Sequence, residues 1–320
     1  MKSVISDAKI NRPRFDVIIT TFRRPGYALA AVKSCLSQGD LLSHVIVVDD
    51  ASGDDTPEWL ASLNDERILI HVRAQNGGMA MSRRDGLALS DADWSIHIDD
   101  DWELMPGALE KLADLARQAD DEVVMLGGRI LWDDGHITPE IVPKTPINYE
   151  EQLAWRSRPD SLGSDNLCCV SRRVREAVNW PAERACGSIL FYLNAALVGK
   201  SIYTQDCLAL EKSSVAESFT RGDWTQRLAR REYDAPSCIR VAEEFLRKHG
   251  AAAQIHGKGL LASVYRMVAM CLLLEGQWWR SILWSIQAVR FSSCSRVAIM
   301  QLFGSLLGKG LFRVLYAIRG

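Results

Sequence analysis

Three consecutive carboxylates, Asp99-Asp100-Asp101, close the apolar run Ser95-Ile96-His97-Ile98 and stand just ahead of Trp102. Carboxylates crowded at the exit of a buried strand repel one another, so a fold holds them only where a cation or a ligand hydroxyl compensates. Taken alone, the plainer explanation is a solvated turn with an Asp capping the helix that Pro106 opens. The choice depends on what the chain brings beside the triplet. Two further polar turns, Thr20-Thr21 and Asp49-Asp50, follow β-branched runs of their own and are candidates to meet it.

The elements that must carry these turns follow from periodicity. Residues 15–20 (Phe-Asp-Val-Ile-Ile-Thr) read as a strand, and Pro25 stands near a helix start over 27–38 that Gly39 ends. Residues 45–48 are apolar on both faces, as a central parallel strand should be. They run into Asp49-Asp50-Ala51-Ser52-Gly53-Asp54-Asp55-Thr56-Pro57, a turn with its own helix cap. Short strands over 68–72, 95–98 and 123–126 alternate with helices over 79–89 and 106–119. The first half is therefore α/β, an open and mainly parallel sheet flanked by helices. Ligands of such sheets bind beyond the carboxyl ends of the strands. All three polar turns fall at carboxyl ends.

Composition sets the bounds. A chain of 320 residues, 48% hydrophobic and 24% charged, is long enough for one large core or two smaller ones. Eight cysteines show no C-x-x-C pair and no metal-ligand spacing. The first 15 residues have no apolar h-region, so no secretory signal is read there, and a reducing cytoplasm is the expected compartment. The net charge of -2 hides an asymmetry. From His256 onward eight cations face the single anion Glu275.

At this point the residues resemble the family 2 glycosyltransferases, with the GT-A nucleotide-sugar-binding fold. The likeness covers roughly residues 14–212. It rests on four motifs in the family's order: Val17-Ile18-Ile19-Thr20-Thr21-Phe22-Arg23-Arg24; Val47-Val48-Asp49-Asp50-Ala51-Ser52-Gly53-Asp54-Asp55-Thr56; Asn76-Gly77-Gly78 with Ser82-Arg83; and Ile98-Asp99-Asp100-Asp101. Each is weak alone; four in order are specific. The resemblance implies a base pocket at Thr20 and Phe22, with Arg23 beside them. It implies Asp50, with Asp49 as its companion, as acceptor for a uracil imide or a ribose hydroxyl, a role that suits a carboxylate. Asn76, the two glycines and Arg83 would lie near the nucleotide, where glycine permits close backbone approach and Arg faces anionic oxygens. Asp99 would lie near the ribose, Asp100 would be the spacer within the nucleotide-binding set, and Asp101 would hold Mg²⁺ or Mn²⁺ against the diphosphate.

The pattern breaks beyond Leu131. Residues 133–149 read as a long loop over the site, and 165–173 resemble the strand ahead of the family's acceptor helix. An inverting member usually offers a Glu-Asp pair at the start of that helix. Here Gly187-Ser188 stands in that place, and a Ser hydroxyl cannot accept a proton unaided. Glu183 is the nearest replacement base and Asp165 a second. Leu208-Ala209-Leu210-Glu211-Lys212 replaces the segment where the family often ends in His.

Two parts are expected: a GT-A domain over 1–214 and a helical, basic region over 215–320. The first divides into a nucleotide-sugar half at about 14–131 and an acceptor half at about 132–214. In the second, the apolar stretches 267–274, 281–289 and 297–308 are too short to span a bilayer. Trp278, Trp279 and Trp284 with Arg280 and Arg290 suit a membrane interface, and a helical bundle or a homo-oligomer suits the same residues. No nucleic-acid motif accompanies the basic face. The expected protein is a cytoplasmic enzyme, peripheral on the inner face of the membrane, that moves sugar from a nucleoside diphosphate donor to a glycan or lipid-linked acceptor. A non-catalytic relative that binds nucleotide sugar is the rival reading, favoured by the missing Glu-Asp pair. A nucleotidyltransferase would want a Gly-rich Arg/Lys loop after the first strand, and Thr21-Phe22-Arg23-Arg24-Pro25 is not one.

Overall fold

The computed structural model describes residues 12–158, 166–212, 224–292 and 296–306. Asp165 and the termini of the chain lie outside the described residues, as do the side chains of Arg227 and Arg230. Four parallel strands open the fold: β1 (Phe15–Thr21), β2 (Leu42–Asp49), β3 (Ile68–Val72) and β4 (Trp94–Asp99). Their helical crossovers are α1 (Pro25–Leu36), α2 (Thr56–Ala61) and α3 (Met79–Leu89).

Beyond β4 the chain adds β5 (Trp102–Leu104), α4 (Ala108–Gln118), β6 (Val123–Trp132), β7 (Ile137–Thr138), α5 (Tyr149–Arg156), β8 (Leu167–Ser171), α6 (Arg172–Ala177), α7 (Ser188–Ala196) and β9 (Lys200–Glu211). The sheet order is β3-β2-β1-β4-β8-β6-β9-β5, with β7 on β6. The expected parallel arrangement holds for β1 to β4. From there the sheet is mixed, because β8 runs antiparallel between β4 and β6 while β6 and β9 are parallel.

The alternation of a two-sided strand sorts the core. Val17 and Ile19 of β1, with Val45 and Val47 of β2, pack toward α1 and α4 through Ala31, Val32, Leu109 and Leu112. Ile18, Ile46 and Val48 point the other way, toward Ala80 and Leu87 of α3, Phe191 of α7, and Trp180. Burial on both faces explains why Val17-Ile18-Ile19 of β1 and Val45-Ile46-Val47-Val48 of β2 read as unbroken apolar runs.

Four helices close the described chain: α8 (Trp224–His256), α9 (Lys258–Leu274), α10 (Trp278–Phe291) and α11 (296–306). The first two dock on the α/β part through a third cluster, in which Val241, Phe245, Leu261 and Leu272 meet Leu153 of α5 and Leu190 and Leu193 of α7. Cys186, just before α7, is joined by a disulfide to Cys238 of α8 across 52 residues of sequence. The sequence pointed to a reducing compartment and to no cysteine pair; a contact at that separation leaves no trace in local spacing. No helix among the described residues is long and apolar enough to cross a membrane.

Candidate active site

Parallel pairing sets the ends of three strands side by side. Thr20 lies level with Val48 on β2 and Asp99 on β4, and Thr21 lies level with Asp49. The backbone N–H of Asp50 then donates to the Thr21 carbonyl at 2.9 Å, which fixes the second turn against the first. The three polar turns of the sequence reading meet on one edge of the sheet.

Asp50 is the hub of the second turn. Its carboxylate accepts from the backbone N–H of Gly77 at 2.9 Å, that of Gly78 at 2.8 Å, and Arg73 Nη1 at 2.7 Å. The Asn76 side chain donates to the Asp50 carbonyl at 3.1 Å. Asp50 is 5% exposed, so one buried anion gathers the loop that follows β3. Gly78 sits at φ +85° and a Cβ there would come within 2.5 Å of the Arg184 carbonyl, so only glycine fits. Asp49, also buried, binds the Ser52 N–H and hydroxyl and keeps the turn after β2 closed.

The acidic triplet divides its members. Asp99 accepts from Arg83 Nη2 at 2.5 Å, while Arg83 Nη1 donates to Ser188 Oγ at 2.8 Å. Arg83 thereby ties β4 to the first residue of α7, and its guanidinium lies 5.5 Å from the Trp180 ring centroid. Asp100, expected beside the nucleotide, is turned inward at 1% exposure. Thr21 Oγ1 donates to it at 2.7 Å, and Arg24 donates from Nε at 3.1 Å and from Nη2. Burial pushes its carboxyl up to about 7 despite that guanidinium. Asp101 accepts from Arg24 Nη1 at 3.1 Å. Burial first, and then the neighbouring Asp99 carboxylate, raise its pKa above the usual carboxylate range.

Thr20 is buried at the end of β1, whereas Phe22 is exposed beneath the Arg23 guanidinium, 4.9 Å from the ring centroid. Arg23 stands at φ +56° and donates its backbone N–H to Ser52 Oγ at 2.7 Å, which locks the first turn to the second. Next to Arg24 a hollow of ≈ 440 Å³ opens, lined by Arg23, Pro25, Tyr27, Ala30 and Lys212. Three of the side chains around it are cations, so it suits an anionic ligand.

Glu183 is placed elsewhere. Arg240 of α8 donates to its two oxygens at 2.7 and 2.6 Å, and the Ser237 hydroxyl donates at 2.8 Å. The Arg240 hydrogen bonds hold its carboxyl below the usual range, which weakens it as a base. Its neighbour Arg184 reaches the other way, to the Asn76 side chain and to Asp234 at 3.5 Å. Ser188 occupies the position that faces Arg83 and Asp99.

Sequence reasoning missed the partners more than the acids. Arg24 lay inside a quoted motif and received no role; Arg73, Arg184 and Ser52 were likewise passed over. A chain of Arg and Asp side chains separated by 16 to 77 residues exists only through the tertiary fold. The one usable signal was the presence of cations close to the acids: Arg23-Arg24 after β1, Arg73 after β3 and Arg83 in α3, four cations against the five acids Asp49, Asp50, Asp99, Asp100 and Asp101.

The donor chemistry at Asp99 and Asp101 fits a hard divalent cation. Both groups are carboxylates, and Asp101 is destabilised as an anion by burial and by Asp99, a defect that a cation between them would relieve. Asp16, His44 and Asp91 also gather potential ligand atoms within 4.8 Å, but at the opposite, amino end of the sheet. There Asp16 is already engaged by the N–H groups of His44, Asp91 and Ala92 and by the Ser90 hydroxyl.

Comparison with known proteins adds three findings. Residues 16–175 match the family model described as Glycosyl transferase family 2. Over 135 residues the chain is 30% identical to the GalNAc(5)-diNAcBac-PP-undecaprenol beta-1,3-glucosyltransferase of Campylobacter jejuni, a match covering 41% of this chain and 43% of that one. The chain thus spans less than half the length of that relative. Among solved structures, S. aureus TarS 1-349 in complex with UDP-GlcNAc superposes with a TM-score of 0.55 at 15% identity, over 94% of this chain and 92% of that one. The mannosyltransferase PcManGT of Pyrobaculum calidifontis, in complex with GDP-Man and Mn²⁺, gives 0.53 at 15% identity, over 93% and 88%. At such identities the likeness is one of fold.

Proposed function

The chain belongs to glycosyl transferase family 2, and on that premise we propose that it transfers a sugar from a nucleoside diphosphate donor, UDP-linked, to a hydroxyl of a glycan or lipid-linked glycan, with inversion at the anomeric carbon. The donor chemistry is supported by the neighbours that hold UDP-GlcNAc and GDP-Man, and the acceptor class by the relative that acts on a PP-undecaprenol glycan. We read it as a cytoplasmic enzyme of surface polysaccharide assembly.

The observation that carries this reading is the meeting of the Asp50-centred turn, the Thr20–Arg24 turn and the Asp99–Asp101 pair on one sheet edge. In the reaction Asp50 keeps the Asn76–Gly78 backbone in place beside the nucleotide. Phe22 offers an exposed aromatic face for the base, and Asp99 an acceptor for ribose. Arg23, Arg24 and Lys212 line the hollow where diphosphate charge would be met. Asp99 and Asp101 would hold a divalent cation, which supplies Lewis-acid stabilisation of the departing diphosphate when bound. Arg83 keeps Asp99 oriented and links it to Ser188.

The acceptor hydroxyl still needs a base. Glu183 takes that role in this proposal only if Arg240 releases it, so Glu183→Gln should lower kcat by at least about a hundredfold with little change in KM. A fully active Glu183→Gln removes it from the chemistry. The donor site is tested by calorimetry with UDP and Mn²⁺, where Asp101→Ala should abolish the metal-dependent part of binding. Unchanged binding would sink the assignment.

A second reading, a non-catalytic relative that binds nucleotide sugar, is favoured by one observation: Ser188 stands where a base is expected while Glu183 is tied to α8. Release of UDP from a panel of UDP-sugars with membrane extract separates the two.

A further inference from the structure

The last two helices are built inside out. On α10 the residues facing the protein are Ser281, Ser285 and Ala288, all buried. On α11 they are Ala298, Gly304 and Ser305. The seam between the helices is hydroxyl on hydroxyl: Ser305 Oγ lies 2.8 Å from Ser281 Oγ and 3.0 Å from Ser285 Oγ, and Ser281 donates on to the Ala269 carbonyl at 2.6 Å.

Trp284 and Phe291 of α10 pack on Tyr265 of α9, but a stripe of other large apolar groups points outward. Trp279, Leu283 and Ile286, at the spacing of one helical stripe, are 56%, 54% and 46% exposed, and on α11 Val297, Phe303 and Leu306 are 57%, 61% and 56% exposed. A helix in water places such residues inward. Small and hydroxylic residues at a helix seam with hydrocarbon outside is the pattern of helices that pack in lipid.

Charge identifies what covers this face. After Glu275 the sequence carries six cations and no anion; Arg280, Arg290 and Arg296 are among the described residues, and Lys309, Arg313 and Arg319 lie outside them. Arg290 continues the Trp279–Leu283–Ile286 stripe and Arg296 opens α11; both are exposed. A second copy of this chain would bring like charges together across an isologous interface, which disfavours it as the occupant. Anionic headgroups complement the cations, and acyl chains complement the apolar stripe. Over its described residues neither helix is long and apolar enough to cross a bilayer, which favours an orientation along its surface.

We propose that α10 and α11 form an in-plane docking face for an anionic membrane surface. The docking is independent of donor and metal, so it stands or falls apart from the catalytic reading.

The test is co-sedimentation of the full chain with vesicles of phosphatidylcholine containing about 30% phosphatidylglycerol, against pure phosphatidylcholine. Binding should be at least about tenfold tighter to the anionic vesicles and should weaken as salt rises from about 0.1 to about 0.5 M. Leu283→Ser with Phe303→Ser should reduce it by about tenfold or more, with UDP binding by calorimetry unchanged as the check on folding. Arg290→Gln with Arg296→Gln should reduce binding to the anionic vesicles alone. Failure to bind anionic vesicles, or equal binding to both kinds, overturns the proposal. So does a dimer in sedimentation velocity that Leu283→Ser with Phe303→Ser dissolves.

Discussion

Asp50 shows how a single side chain can organise a site without being its reactive group. It satisfies two backbone N–H groups and one guanidinium; its removal leaves the two N–H groups unpartnered, while Arg73 keeps its ion pair with Asp85. Breaking a buried pair by deleting one member costs about 3–5 kcal/mol in comparable cases. Asp50→Ala is therefore expected to lower the melting temperature by roughly 5–10 °C and to weaken UDP binding by at least about tenfold. Asp50→Asn, which keeps an acceptor oxygen, should fall between it and the wild type. Thermal melts and titration calorimetry on the three proteins check the order. A melting temperature unmoved by Asp50→Ala would show that the loop is held by Arg73 and Asn76 instead.

Glycines do the equivalent work for the elements. Gly86 lies on α3 where a Cβ would come within 2.3 Å of Ile18 Cγ2 and 3.2 Å of Val48 Cγ2, so its absence of side chain sets how near α3 rides to β1 and β2. Gly86→Ala should destabilise by about 1–3 kcal/mol through that clash, even though Ala is the better helix former. Denaturant unfolding measures it directly, and a stabilised variant would contradict the close packing. Periodicity disclosed the alternating strands and helices of the first half because the centres of β1 (Val17-Ile18-Ile19) and β2 (Val45-Ile46-Val47-Val48) are uninterrupted apolar runs. It placed this strand only at 123–126 and did not disclose that β6 runs on to Trp132, through Gly127 and Gly128, where the strand backbone passes close to Tyr203 and Leu208. Nor did it show β8 reversing the sheet direction, which depends on non-local pairing. At the site, the acids and Arg83 were legible; Arg24 and Arg73, which hold Asp100, Asp101 and Asp50, were not, because those pairs join distant parts of the chain.

At the level of the molecule, the two halves are joined by groups that sense acid. His249 of α8 is buried between α5 and α7, its Nδ1 at 2.7 Å from Tyr149 Oη and its Nε2 at 3.2 Å from Asn194 Oδ1. The Asn oxygen can only accept, so Nε2 carries the proton and Nδ1 receives the phenol hydroxyl; the neutral ring is fully satisfied. Burial lowers its pKa to about 4, below the value of an unfolded histidine. The unfolded chain thus takes up a proton first as pH falls. The stability contributed by the neutral ring is complete above pH of about 6.5 and is lost on the way down to about 4. Wild type should lose several °C of melting temperature over that interval, and His249→Gln should show a flatter profile. Parallel profiles would remove His249 from the acid response. The serine seam has a thermodynamic corollary of its own. Hydroxyl pairs bury little hydrocarbon, so separating α11 from α10 in water exposes little apolar surface and carries a small free energy of opening. Amide hydrogens over 296–306 should therefore exchange through local excursions, orders of magnitude faster than those of β1 or β4. Among the described residues, α11 is thus the segment expected to open with the least loss of packing.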